Sequence, residues 1–182
     1  MLKFETFKAM GVDLSTKATG LVVLQPNEKG KPQCLLELVI SSKEPPGAAR
    51  NREIVLRVVE EVHALKPNKI VIEGYSLNLK NASSIIPLVE LGGLLRFMLH
   101  LDGLGWYAPT APEVKKFVTG KGNSPKDIVM MNVLKRWGHE AKSNDTADAY
   151  VCAAMGLATA NRLKDVTLDM RVLAGKLKLT TS

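Results

Sequence analysis

Apolar positions follow two periods along this chain. Residues 9–15, 20–24 and 35–40 are short apolar runs rich in β-branched side chains, separated by breaks containing Gly, Pro and Asn. They predict three strands of an antiparallel meander, with 26–30 as one tight connection. After Pro45-Pro46-Gly47 the period changes. Ile54, Val55, Val58, Val59 and Val62 recur at helical spacing among Arg and Glu residues, which predicts an amphipathic helix over 48–65. Lys66-Pro67-Asn68 stops it, and KIVIE at 69–73 is a short apolar strand.

Residues 84–101 predict a second helix that is apolar on nearly every side. One sheet face cannot cover all of that surface, so part of it is expected to meet a partner. Residues 105–108 predict a fifth strand and 113–118 a short helix, followed by a Gly-rich loop over 119–124. Pro125 suits the first turn of the next helix, which stops at Gly138. Ser143-Asn144-Asp145 starts a last long helix through Leu163. The fold class is therefore α/β: one domain over 1–163 with a mixed five-stranded sheet flanked by helices. The sheet combines the three-strand antiparallel meander with parallel strands. A basic tail, 164–182, follows and is expected to be partly disordered.

The 182 residues carry 25 Lys+Arg and 18 Asp+Glu, a formal charge of +7, and the excess is uneven. Residues 113–142 hold a net +4, residues 143–160 a net −2 from Asp145 and Asp148 alone, and residues 161–182 a net +3. Lysines for phosphate beside carboxylates for a metal are what a nucleic-acid enzyme needs. With only nine aromatics, a stacking platform for single strands is not expected. The two cysteines, Cys34 and Cys152, fit a reducing, cytoplasmic setting. Lys3, Glu5 and Lys8 interrupt the first ten residues, so no secretory leader is expected. Glu90, Arg96 and His100 interrupt the most apolar stretch, 85–101, so no membrane span is expected either.

Four carboxylates carry the candidate chemistry. Asp13 lies inside the apolar strand MGVDLS, where an unpaired carboxylate pays for its desolvation. Glu73 ends the KIVIE strand, and ligand sites in such sheets gather at carboxyl ends of strands. Asp145 and Asp148 are three apart at a helix start and can share a face. Each of these two also has an ordinary reading, as a helix cap and a first-turn acid, and Glu73 can be a polar strand end. As one site, the four would repel each other unless cations neutralised them. Oxygen-only donors favour Mg²⁺ or Mn²⁺ over zinc. Two such ions roughly 4 Å apart can drive phosphodiester hydrolysis. His63, His100 and His139 fall on helices or helix ends, and only His139 lies near the acidic helix.

These residues resemble the RuvC family of Holliday-junction resolvases, within the ribonuclease H-like superfamily, over about residues 8–160. GVDLSTKATG is similar to the family's first strand, IVIEG to the strand that brings its second acid, and NDTADAYVCAAM to its last acidic helix. VKKFVTGKGNSPKDIVMMNVL resembles its DNA-facing region. The resemblance implies a Mg²⁺-dependent endonuclease (Mn²⁺ able to substitute) that resolves four-way junctions by paired nicks. Two ions would be held by Asp13, Glu73, Asp145 and Asp148. It further implies DNA contacts from Lys115, Lys116, Lys121 and Lys126, with Lys126 nearest the scissile phosphate and counted with the catalytic group. It implies a homodimer through the second helix, from Pro87 to Leu101, acting in the cytoplasm of a bacterium or of a virus's host. Where the bacterial family carries an aromatic wedge this chain has Ser76, and the adjacent Tyr75 is the candidate substitute or an ordinary rim tyrosine. A broader branched-DNA nuclease acting on forks and flaps, and a non-catalytic nucleic-acid-binding member of the fold, are the alternatives. The sugar-kinase and actin fold, which also has a strand Asp followed by Ser/Thr and Gly, needs two domains and does not fit in 182 residues.

Overall fold

The computed structural model describes residues 7–75 and 82–181. Within them a single mixed sheet runs in the order β3-β2-β1-β4. β1 (Ala9–Asp13), β2 (Thr19–Pro26) and β3 (Pro32–Ile40) form the antiparallel meander. α1 (Ala48–Leu65) crosses over to β4 (Lys69–Ile72), which pairs parallel with β1. α2 (Ala82–Leu101), α3 (Ala111–Thr119), α4 (Lys126–Trp137), α5 (Asn144–Thr159) and α6 (Leu168–Lys176) follow.

Strand alternation divides the interior in two. Met10, Val12, Leu21, Val23, Ile70 and Ile72 face α1 and α2 on one side of the sheet. Ala9, Val22, Leu24 and Val71 face the other side, where α5 lies and α3, α4 and α6 pack around it. On that second face the sheet and α5 meet almost backbone to backbone. A Cβ on Gly11 would stand 1.9 Å from the Ala149 carbonyl oxygen, and one on Gly20 would stand 2.2 Å from that of Asp145. The run of small residues in α5, including Ala147, Ala149, Ala153 and Gly156, is what so short a separation requires. Residues 146–158 are accordingly all buried.

Residues 105–108 do not add a fifth strand. Tyr107 exchanges two hydrogen bonds with Ile70 and Ile72, and Trp106 exchanges two with Thr180, leaving isolated bridges on either side. Pro109 has no N–H to continue a ladder, and the chain turns at Thr110 into α3. α5 also ends four residues before Leu163. Asn161 adopts a left-handed conformation (φ 54°), and the Lys164 amide turns away to the Gly30 carbonyl. In the basic tail, α6 buries Met170 and Ala174 against the α5 side of the core. Among the described residues, no helix is long and apolar enough to cross a membrane.

The Gly11 contact gives a direct test. Gly11→Ala forces α5 off the sheet and should lower unfolding stability by about 3 kcal/mol, the upper range for overpacking a close-packed core. Urea denaturation checks it, with a midpoint equal to that of the wild type as the contrary result.

Candidate active site

Register places the first two acids together. Asp13 is the last residue of β1, and Glu73 follows β4, whose Ile72 pairs with Val12. The Glu73 amide donates to the Val12 carbonyl (2.9 Å), and the Gly74 amide donates to Pro109 (2.7 Å), which fixes the backbone on both sides of the carboxylate. Alternation sets Asp13 on the Gly11 face and Glu73 on the Val71 face, both toward α5. Ser143, not an acid, caps that helix: its hydroxyl accepts from the Thr146 amide (3.1 Å), and the Thr146 hydroxyl accepts from the Ser143 amide (3.0 Å). The ordinary reading of Asp145 as a cap therefore does not hold. Asp145 sits in the first turn, and Asp148 lies about one turn further in.

Carboxylate oxygens of Asp13, Glu73 and Asp148 lie within 4.8 Å of one another. Asp145 stands outside that trio at a more exposed rim, 4.0 Å from the Lys126 ammonium. Burial is the chief reason these groups resist ionisation. It raises Asp13 to about 8, helped by Glu73, Asp148 and Asp145 and opposed by Lys126. It raises Glu73 to about 7, helped by Asp148 and opposed by Lys126 and Lys115. Asp148 is raised too, first by burial, with the same two lysines opposing. Glu73 Oε2 and Asp148 Oδ1 are buried without any hydrogen-bond partner. Crowded, desolvated, unpaired oxygens with no nitrogen or sulfur donor among them fit a hard divalent cation.

The basic residues divide into two groups. Lys115 and Lys126 are near enough to act on the acids. Lys116 and Lys121 are exposed on α3 and the loop after it and do not join them. Tyr75 lines the same cleft as Asp13, Leu14, Glu73, Gly74 and Leu88. Its hydroxyl donates to the Val89 carbonyl (3.3 Å) and accepts from Arg96, whose guanidinium lies 4.6 Å from the ring centre. Gly92 makes this possible, since a Cβ there would fall 2.1 Å from that hydroxyl. Ser76 lies outside the described residues. Sequence reasoning passed over Cys152, which is fully buried one turn beyond Asp148, its thiol pushed well up by burial and by the acids. It also passed over Arg96. Cys152 lies within the NDTADAYVCAAM motif but offers no acid there, and Arg96 stands in no motif.

Strand-end acids facing an acidic helix across a mixed sheet define a ribonuclease H-like nuclease arrangement. Comparison with known proteins agrees. The family model for crossover junction endodeoxyribonuclease RuvC matches residues 9–156. The RuvC of Brachyspira hyodysenteriae is 33% identical over 110 residues, 60% of this chain and 68% of that protein. The structure of Thermus thermophilus RuvC superposes with a TM-score of 0.70 at 22% identity, covering 96% of this chain and all of that one. T. thermophilus RuvC in complex with Holliday junction substrate gives 0.69 at 21% identity, over 81% of this chain and 90% of that one. This chain belongs to the RuvC family of crossover junction endodeoxyribonucleases.

The raised acids make stability depend on pH. In the metal-free folded chain Asp13 and Glu73 keep protons up to about pH 8 and 7, against ordinary values of 3.8 and 4.5. The folded state thus binds more protons across that window, and their contribution to stability falls as pH rises from about 4 to 8. In EDTA at pH 8, Asp13→Asn should melt above the wild type, with the gap closing toward pH 5. Circular-dichroism melts at both pH values measure this, and coincident curves at pH 8 would contradict a desolvated Asp13.

Proposed function

We propose that this chain is a structure-specific endodeoxyribonuclease that cuts four-way DNA junctions by metal-assisted phosphodiester hydrolysis. The observation that carries this reading is the meeting of Asp13, Glu73 and Asp148, with two unpaired buried oxygens, beside Lys115 and Lys126. Asp13, Glu73 and Asp148 would hold one Mg²⁺, and Asp145 at the rim would join Asp13 or Asp148 in holding a second. Mn²⁺ offers the same hard-cation chemistry. Bound Mg²⁺ supplies charge neutralisation and water activation at the scissile phosphate. Lys126, 4.0 Å from Asp145, would contact that phosphate. Lys115, Lys116 and Lys121 extend the basic surface along the duplex backbone, with Lys116 and Lys121 acting by charge alone.

The outer face of α2 supports a homodimer. Ile86, Val89, Leu94, Phe97 and Leu101 are exposed along it. A two-fold pair through 87–101 gives two equivalent clefts, which is what paired, symmetric nicks need. The relatives named above are bacterial, and we place the activity in the cytoplasm. A second reading, cleavage of forks and flaps as well as junctions, is favoured by one feature. Ser76 stands where the family carries an aromatic wedge, and the neighbouring Tyr75 is engaged by Val89 and Arg96.

A gel assay on linear, flap, fork and four-way DNA with Mg²⁺ separates the readings. Symmetric nicks confined to the four-way substrate are expected, and equal cutting of forks and flaps would select the broader nuclease. In the same assay Asp13→Asn should lose cleavage by several orders of magnitude while still binding the junction; a normal rate would remove Asp13 from the metal site. For the dimer, Leu94→Glu should give a monomer on sizing, and a persistent dimer would move the interface elsewhere.

A further inference from the structure

A second group of metal-ligating side chains shares no residue with the acidic cleft. Cys34 and Glu37 on β3, together with His139 just after α4, bring a thiol, a carboxylate and an imidazole within 4.8 Å of one another. Each is held in place. The Glu37 side chain is 6% exposed, and its Oε1 accepts from the Lys142 amide at 2.8 Å, which leaves Oε2 facing His139. The His139 ring is stacked on Tyr150, with centroids 4.5 Å apart and planes 21° from parallel. His139 Nε2 lies 3.2 Å from Glu37 Oε2, yet the two are not oriented to hydrogen-bond. Nε2 is buried with no other partner. The Cys34 thiol makes a single weak bond, to the Leu36 carbonyl at 3.4 Å. Three donors of different kinds therefore crowd one point, with His139 and Glu37 at ion-pair distance but no hydrogen bond among the three.

We propose that Cys34, Glu37 and His139 bind one borderline-soft divalent cation, Zn²⁺ foremost, with water completing a four-coordinate shell. The donor set excludes Mg²⁺, which wants oxygen alone. On binding, the Cys34 S–H bond breaks and its proton passes to solvent; the thiolate pair forms the metal–sulfur bond, and neutral His139 donates through Nε2. Without a cation, burial and Glu37 push the Cys34 thiol up to about 11 and keep it protonated. A cation beside it reverses that balance. The bound ion ties the edge strand β3 to the connector between α4 and α5, which leads into the first turns of α5 that carry Asp145 and Asp148.

Co²⁺ is the probe, titrated into the full-length chain with Mg²⁺ in excess so that the acidic cleft is filled. One equivalent should bring a thiolate-to-cobalt charge-transfer band and strong visible bands of a four-coordinate ion, both abolished by one equivalent of Zn²⁺. Cys34→Ser should lose the charge-transfer band, whereas Cys152→Ser should keep it. His139→Asn should weaken Co²⁺ binding by at least about tenfold. Absence of the band from the wild-type chain at millimolar Co²⁺ overturns the proposal, and so does a band that survives Cys34→Ser.

Discussion

The closeness of α5 to the sheet is the constraint on which everything else in this molecule rests. Two glycines, Gly11 on β1 and Gly20 on β2, let the helix backbone come down onto the strands at Ala149 and Asp145. Gly20 is paired in register with Asp13, so the second contact lies beside the first acid. The depth of the helix, its rotation and the height of its first turn are set together. Asp148 reaches the Asp13 and Glu73 carboxylates because the helix has nowhere else to sit. An ordinary packing distance of about 10 Å between a helix and a sheet would leave these oxygens too far apart to share an ion.

The same closeness makes the site costly for the fold. Three carboxylates within 4.8 Å, two of them with an unpaired buried oxygen, disfavour their own ionised forms. In a core built only for stability these positions would be apolar. Nearby positive charge from Lys115 and Lys126 opposes the shifts without cancelling them. A hard divalent cation held between these oxygens would offset their mutual repulsion. Lys126 and Asp145 stand at the more exposed rim of this acidic group, while Gly11 and the fully buried Cys152 pack closely beneath it.

Much of this could be read in the residues. Asp13 announced itself as an acid in an apolar strand, and the meander, the crossover helix and β4 followed from the periods of 2 and 3.6. The fifth strand failed because its register ends at Pro109, and a two-residue ladder has no periodicity to read. Helix α5 was expected to run to Leu163 because its apolar pattern does. A left-handed turn at Asn161 ends it, and the buried Leu163 belongs to the loop. Pattern could not separate Asp145 from Asp148, since three-residue spacing puts both on one face. Burial separates them: Asp148 is 5% exposed, and Asp145 meets Lys126 at the rim. Tyr75 and Arg96, and likewise Cys34 and His139, meet only through tertiary folding, so no local signal joins them.

Helix α2 links the cleft to the outer surface. Leu91, Leu95 and Leu99 are fully buried against α1 and the sheet, while Ile86, Phe97 and Leu101 are more than half exposed. Leu88 borders the acidic cleft, and Gly92 gives Tyr75 the space to pack against Arg96. Only the thickness of one helix, about 10 Å, therefore separates the outer face from the wall of the cleft. Val89 joins the two sides of the helix: its carbonyl accepts from Tyr75, two residues after Glu73, and its side chain is exposed on the outer face.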